Sequence, residues 1–288
     1  MDRRTFTKGI VAAAASLSLV ACFGLAGCGG GGKAAAPTSD VELQIFAANS
    51  LEKALPEVQA LYTAQTGVTF ADTQFKSSGD LVAELEGGAA ADALITASAS
   101  TMDTAVADGF CAADAVTTMF VNDLVVVAGN DSTISITDLK ELATNDAITS
   151  ISIGDPNAGP AGKYAVQSLE AAGLCKITEN EDKTISVEYD KSIADKINDG
   201  ADKVGTVASY VNEGQCDVGL VYTSDLYRYD GIQNVYTVPA DMHKAIQYPG
   251  AAITESANAE TVADFLNFCM TNEEALKIWQ QYGFELAA

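Results

Sequence analysis

From residue 41 onward, short apolar runs alternate with longer amphipathic stretches. The runs predict strands, because a few apolar residues bounded by turn residues are typical of buried strands. The amphipathic stretches predict helices, since their apolar residues recur at the spacing of one helix face. The predicted strands are 41–46, 91–97, 124–128, 151–154 and 217–222, and the predicted helices include 163–172, 204–212, 261–270 and 273–282. This alternation favours an α/β fold of mainly parallel sheets flanked by helices, in two lobes connected near residues 122 and 248.

Local signals indicate where several helices begin and end. Ser50 opens a predicted helix that ends at Gly67, and Pro56 inside it should kink the helix or shift its start. Ser78 is the expected N-cap of a short helix over 81–86. Pro160 stands where the first turn of a helix tolerates proline. Three helices are therefore expected to begin close behind extended segments.

The first 27 residues predict an export signal that is not part of the fold. Two adjacent arginines give this segment a twin-arginine form, and its apolar run 10–25 is shorter than the ~20 residues of a membrane-spanning helix. The run ends in Leu-Ala-Gly before Cys28, which resembles a bacterial lipobox and would make Cys28 the lipidated first residue. Cys22 is a poorer second candidate, and an ordinary signal peptide is the alternative. Residues 28–40, rich in glycine and alanine, predict a flexible tether.

The chain is strongly acidic, and this limits its partners. Its 288 residues carry 16 basic and 39 acidic side chains, a formal charge of −23. Removing residues 1–27 takes away three basic residues and one acidic residue, which leaves 13 and 38, or −25. Such a charge repels phosphate backbones, so nucleic-acid binding is excluded. A single histidine also argues against a His-rich metal site and against a His-based catalytic triad.

Four cysteines follow Cys28, and their pairing stays open at this point. They are Cys111, Cys175, Cys216 and Cys269. An even number in an exported protein permits disulfides, with three possible pairings. Neither a CxxC motif nor metal-ligand spacing occurs, so bridges or buried free thiols are both favoured over a metal site.

Three predicted turns share small residues placed before the start of a helix. They are Ala-Ala-Asn-Ser at 47–50, Phe-Lys-Ser-Ser-Gly at 75–79 and Gly-Pro-Ala-Gly at 159–162. Small residues let the backbone approach a ligand, and the first N–H groups of a helix have no partner within the helix. Together with the helix dipole they can hold an anion. The hydroxyls of Ser50 and Ser78 would add two donors.

Over nearly all of the mature part, the sequence resembles the molybdate-binding proteins that deliver their ligand to ABC importers. The matching stretches are 46–51 (Phe-Ala-Ala-Asn-Ser-Leu), Ser77-Ser78, 87–92 (Gly-Gly-Ala-Ala-Ala-Asp), 122–127 (Asn-Asp-Leu-Val-Val-Val), 154–156 (Gly-Asp-Pro), 160–164 (Pro-Ala-Gly-Lys-Tyr), 219–222 (Gly-Leu-Val-Tyr), His243, Tyr248-Pro249 and 281–284 (Gln-Tyr-Gly-Phe). The resemblance implies a two-lobed periplasmic-binding-protein fold of type II with the ligand in the cleft. Residues 41–121 with 249–288 would form lobe I, and residues 122–248 would form lobe II.

The resemblance also implies a set of neutral hydrogen-bond donors. Ser50 and Ser78 would bind an oxyanion through hydroxyl and backbone N–H, Ala161 and Val204 through backbone N–H, and Tyr222 through its phenol. Molybdate and tungstate are fully deprotonated dianions at neutral pH, so a site that offers only donors suits them. Phosphate carries a proton and commonly needs an acceptor, so the same set disfavours it.

Two residues beside this set depart from the pattern of the resembled family. Asn49 stands where alanine is frequent, and Gly79-Asp80 replace small hydroxyl residues. Asp80 would weaken the binding of a dianion unless its carboxylate points away or caps the helix.

The expected protein is a monomeric binding protein, with no cofactor, no catalytic residue and no directly ligated metal. Its partners would be an oxyanion, the permease of the importer, and the membrane through the lipid at Cys28. The alternatives are a binding protein for another oxyanion such as sulfate, and an exported enzyme that reuses the fold. Asp92 and Asp155 lie in no cation-binding motif, and His243 has no neighbouring nucleophile motif, so structural roles are expected for them.

Overall fold

The computed structural model describes residues 37–287. The predicted export signal 1–27, the predicted lipidation site Cys28 and most of the predicted tether lie outside the described residues. Within the described part, no helix is both long enough and apolar enough to cross a membrane.

The described chain contains short strands and helices in alternation. The strands are β1 Glu42–Leu43, β2 Ile45–Ala48, β3 Thr69–Phe70, β4 Gln74–Lys76, β5 Ala93–Ile95, β6 Thr117–Asn122, β7 Leu124–Gly129, β8 Ile151–Gly154, β9 Cys175–Glu179, β10 Ile185–Tyr189, β11 Ile197–Ala201, β12 Val218–Tyr222, β13 Ile232–Thr237, β14 Ile246–Ala252 and β15 Glu285–Leu286. The helices are α1 Ala54–Thr66, α2 Ser78–Glu86, α3 Ala99–Ala107, α4 Glu141–Thr144, α5 Pro160–Ala171, α6 Val204–Asn212, α7 Ala259–Thr271 and α8 Glu273–Gln281. Single 3-10 turns, one of them at Asn49–Leu51, connect some of these elements.

Two large sheets contain most of these strands, and the pairs β1-β3 and β9-β10 form two small sheets beside them. The first has six strands in the order β15-β6-β14-β5-β2-β4, and the second has five in the order β11-β8-β12-β7-β13. The first sheet takes its strands from both ends of the described chain, and the second takes them from the middle. The α/β character and the two main sheets were expected. The bounds of lobe I (41–121 with 249–288) and of lobe II (122–248) stay a prediction.

The pairing within the sheets is mixed, and the prediction of mainly parallel sheets was wrong in this respect. In the first sheet β2 is parallel to β4 and β5, and in the second β8 is parallel to β11 and β12. The remaining pairs, which involve β6, β14 and β15 or β7 and β13, are antiparallel. Only Asp123 separates β6 from β7. The chain therefore passes between the sheets without the helical crossover that a parallel pair requires.

Most of the local helix signals hold, and one is displaced by a residue. The helix α6 begins and ends as predicted, and α1 is followed by the expected Gly67, which forms its C-cap with a φ of 80°. Pro56 lies in the first turn of α1 and has shifted the start of that helix. The N-cap of α2 is Ser77 rather than Ser78, because the Ser77 hydroxyl accepts the N–H of Asp80 at 3.2 Å. The hydroxyl of Ser78 is therefore not used as a cap.

The four cysteines of the described part are free thiols, so the disulfide alternative does not hold. Cys111, Cys216 and Cys269 are buried, and Cys175 is half-buried. Burial raises the pKa of Cys111 to about 11. That thiol stays protonated at neutral pH and behaves as a small apolar side chain.

Candidate functional site

A small cavity lies between the two sheets, at the carboxyl ends of their parallel strands. Its walls come from the residues that follow β2, β4, β8 and β11, from the end of β12, and from the first turns of α2, α5 and α6. The centre of a water molecule could occupy about 20 Å³ of this cavity, which is room for one small occupant. Ligands of open α/β sheets commonly bind at this end of the strands.

All five residues predicted for the oxyanion site line this one cavity. Ser50 and Ser78 stand on the first sheet's side of it, and Ala161, Val204 and Tyr222 stand on the second sheet's side. None of the five is more than 5% exposed. The structure therefore brings together groups up to 172 positions apart in the chain, while their role in binding stays a prediction.

The backbone contributes N–H donors to the cavity because helices begin there. Ala161 is the second residue of α5 and Val204 is the first residue of α6. Ser78 likewise opens α2, and Ser50 lies in the 3-10 turn after β2. The N–H groups of these four residues have no acceptor among the described residues, as expected for the first turn of a helix.

The hydroxyl of Ser78 is arranged as a donor. Its Oγ accepts the backbone N–H of Ala97 at 3.0 Å, inside the buried wall of the cavity. With that lone pair occupied, the hydroxyl hydrogen is left to point elsewhere. Since Ser78 is only 1% exposed and lines the cavity, the hydrogen can reach an occupant.

Tyr222 supplies a phenol without any partner. It is 1% exposed, and its Oη has no hydrogen-bond partner among the described residues. A buried polar group costs about 1–3 kcal/mol when unpaired, so this O–H is available for a ligand. Burial, together with the nearby Tyr248, Tyr164 and Asp225, raises the pKa of Tyr222 well above its usual value. The group therefore stays protonated and keeps its hydrogen.

Carboxylates also occur near the cavity, and each of them has other partners. Asp155 and Asp202 are among the lining residues. The Asp155 carboxylate accepts the N–H of Asn157 at 2.7 Å, and the Asp202 carboxylate accepts the Thr206 hydroxyl at 2.6 Å. The side chain of Asp202 is also 61% exposed to solvent. Asp80 is exposed, lies in the first turn of α2 and does not line the cavity. Its carboxylate is therefore not expected to weaken the binding of a dianion.

Two lysines line the cavity without bringing a free positive charge to it. Lys76 is ion-paired with Glu84, and Lys203 is 3.9 Å from the carboxylate of Asp202. Both lysine side chains are 39% exposed. The buried donors that remain for an occupant are consequently uncharged.

A cluster behind the cavity was missed by the sequence reasoning. The amide oxygen of Asn49 accepts the N–H of Gly205 in α6 at 3.3 Å and is 3.2 Å from Nη2 of Arg228. Arg228 also binds Glu52 at 2.8 Å and the buried Asp225 at 2.5 Å. These contacts tie the turn after β2 to the second sheet. Their only sequence signals were the unusual Asn49 and the single arginine after the leader.

The structure offers no catalytic or metal-binding arrangement at this cavity. The described residues contain no group of three or more His, Cys, Asp or Glu side chains that could hold a metal ion. The Ser50 hydroxyl is bonded to a tyrosine and the Ser78 hydroxyl to a backbone amide, so neither serine has a base beside it. His243 lies outside the cavity, with Nδ1 2.8 Å from the carbonyl of Lys244.

Comparison with known proteins decides the family. The model of the bacterial extracellular solute-binding protein family matches residues 43–285. This chain belongs to that family. Its site of action therefore lies outside the cytoplasm, and its relatives are solute-binding proteins rather than enzymes.

Two relatives are similar over most of their length. The molybdate-binding protein ModA of Escherichia coli is 31% identical over 85% of this chain and 89% of its own. A Bacillus subtilis protein with the provisional name of an ABC transporter substrate-binding lipoprotein, YvgL, is 29% identical over 93% of this chain and 95% of its own.

Two solved structures show the same fold. The periplasmic molybdate-binding protein of Azotobacter vinelandii has a TM-score of 0.69 at 20% identity and covers 85% of this chain and 100% of its own. The sulfate-binding protein SubI of Mycobacterium tuberculosis also has a TM-score of 0.69, at 17% identity, and covers 86% of this chain and 87% of its own. The expected two-lobed binding-protein fold is thus confirmed. The fold alone does not distinguish between these two ligands.

Proposed function

We propose that this protein captures molybdate or tungstate in the cavity between its two sheets and delivers the ion to the permease of an ABC importer. The observation that carries the proposal is the buried phenol of Tyr222, which has no partner and shares its cavity with the donors of Ser50, Ser78, Ala161 and Val204. The 31% identity to a protein named as molybdate-binding supports the same ligand.

The donor set matches the chemistry of a fully deprotonated tetrahedral dianion. Such an ion has only acceptor oxygens, and three hydroxyls and four backbone N–H groups can each direct one hydrogen at it. Hydrogen bonds to a charged group are worth about 1.5–3 kcal/mol each, and they are stronger in a buried site than in water. Neutral donors can therefore hold the ion without an ion pair.

The proposal includes the route of the protein to its place of work. Residues 1–27 would be removed on export, and Cys28 would carry the lipid that tethers a monomer to the membrane. The provisional lipoprotein name of the relative YvgL supports the anchor. Metabolic labelling with a radioactive fatty acid tests it, because the label should be incorporated by the full chain and lost in Cys28→Ser. Labelling that persists in Cys28→Ser would contradict this assignment.

Titration calorimetry with molybdate, tungstate, sulfate and phosphate tests the ligand. We expect molybdate and tungstate to bind more tightly than sulfate, and phosphate to bind least. Sulfate is the second candidate, because SubI shares the fold and sulfate has the same charge and shape. Equal affinity for sulfate and molybdate would overturn the ligand assignment and leave the family intact.

A further inference from the structure

Tyr248 lies directly behind the cavity and contacts one of the proposed ligand-binding hydroxyls. Its Oη is 3.0 Å from the Oγ of Ser50. Tyr248 is completely buried, and it stands in β14, one of the strands of the first sheet. It does not line the cavity, so it reaches an occupant only through Ser50.

The hydrogen-bond partners of Asn122 give this contact a direction. The Asn122 amide oxygen accepts the N–H of Asp123 at 2.9 Å, which fixes the orientation of the amide. Its amide nitrogen therefore faces Ser224 Oγ at 3.0 Å and Tyr248 Oη at 3.4 Å. Because the nitrogen can only donate, the Tyr248 oxygen acts as the acceptor in that contact.

The phenol hydrogen of Tyr248 then has a single available acceptor among the described residues. Buried hydroxyls are hydrogen-bonded in native proteins, and the Oγ of Ser50 is the remaining partner of Tyr248 in the described structure. Tyr248 therefore donates to Ser50, and the hydrogen of Ser50 is directed away from Tyr248 and toward the cavity. Burial raises the pKa of Tyr248 above its usual value, so the donor persists at working pH.

We propose that Asn122 and Tyr248 are positioning residues that hold the Ser50 hydroxyl as a hydrogen-bond donor to the bound anion. The inference rests on the proposed function of the cavity and deepens it. Ser78 is held in the same sense by the N–H of Ala97. Each serine oxygen thus accepts one hydrogen bond from the protein and directs its hydrogen to the cavity, so the site favours oxyanions without a proton over monohydrogen phosphate, which needs an acceptor.

The variant Tyr248→Phe tests this proposal because it removes one oxygen and keeps the ring. We expect molybdate affinity to fall about 3–10-fold. Phosphate should lose less affinity than sulfate, because a released Ser50 can turn and accept the phosphate proton. The ratio of sulfate to phosphate affinity, measured at pH 8, should therefore fall at least threefold. Tyr189→Phe, whose hydroxyl binds Asp199 away from the cavity, is the control and should change neither quantity.

A double-mutant cycle separates positioning from a general loss of structure. In a Ser50→Ala background, Tyr248→Phe should have no further effect on molybdate affinity, since no hydroxyl remains to be oriented. Asn122→Ala gives a second variant and should shift the sulfate-to-phosphate ratio in the same direction. An additive loss in the cycle, or an unchanged ratio in both variants, would overturn the inference while the unaltered protein still binds molybdate. Failure of the unaltered protein to bind any of these anions would overturn the proposed function itself.

Discussion

The phenol of Tyr222 provides the sharpest test of the site, and the change to make is Tyr222→Phe. The hydroxyl has no partner in the described structure, and Tyr222 lines the cavity between the two sheets. A bound dianion would lose one charge-assisted hydrogen bond, which is worth about 1.5–3 kcal/mol. Since about 1.4 kcal/mol corresponds to tenfold in affinity, molybdate should bind roughly 10–150-fold more weakly.

The same change should not weaken the free protein, because no hydrogen bond between protein groups is removed. Titration calorimetry measures the affinity, and thermal unfolding without ligand measures stability. We expect weaker binding together with an unchanged or slightly higher unfolding temperature. Tyr189→Phe removes a phenol outside the cavity and should leave the affinity unchanged. A Tyr222→Phe protein that binds molybdate within twofold of the parent would refute the assignment of this phenol to the ligand.

Three further outcomes are expected. Gly162→Ala should lower the free energy of unfolding by about 1–3 kcal/mol, measured by thermal or urea unfolding. The reason is that the added Cβ would lie 2.4 Å from the carbonyl oxygen of Gly154. Gly129→Ala should have little effect, because the space around Gly129 is open. Molybdate affinity measured by calorimetry should stay constant between pH 7 and 9. The raised pKa of Tyr222 keeps its O–H protonated as the pH rises. A decline in affinity over this range would contradict the role of Tyr222 as a hydrogen-bond donor to the ligand. Asn49→Ala should weaken molybdate binding by about 1 kcal/mol by removing the acceptor for the Gly205 N–H; unchanged affinity would show that this contact does not support the cavity.

The first residues of the helices at the site could be predicted, because particular residue types favour the first turn of a helix. Pro160 is favourable only at the first turn of a helix, and α5 begins there. The prediction of Ser78 as the N-cap of α2 was wrong, because Ser77 and Ser78 have identical side chains and local sequence does not distinguish between them. The tertiary structure selects Ser77, whose hydroxyl also donates to the carbonyl of Ala158 at 2.8 Å. Ser78 is thereby left for the cavity.

The pattern of hydrophobic and polar residues could not predict the contacts between distant segments of the chain. Asn122 and Tyr248 occur in stretches that carry the family resemblance, yet a tyrosine within an apolar strand is most simply part of the core. Its contact with Ser50 joins residues 198 positions apart, and no periodicity reports such a pairing. The antiparallel strand pairs were not predicted either. They arise where the chain passes directly from one sheet to the other, and local sequence does not report this.

Arg228 supports the cavity through ion pairs and is not among the residues that line it. It is the one arginine of the described residues, its side chain is only 2% exposed, and Asp225 and Glu52 bind it from the two sides of the cleft. The same Asp225 accepts the N–H of Tyr222 at 3.0 Å. Removing one partner of a buried ion pair leaves an uncompensated charge and is strongly destabilising, so these three charges are held as a set. The arginine consequently holds Tyr222 and the turn after β2 in place, and neutral donors are left to contact the ligand.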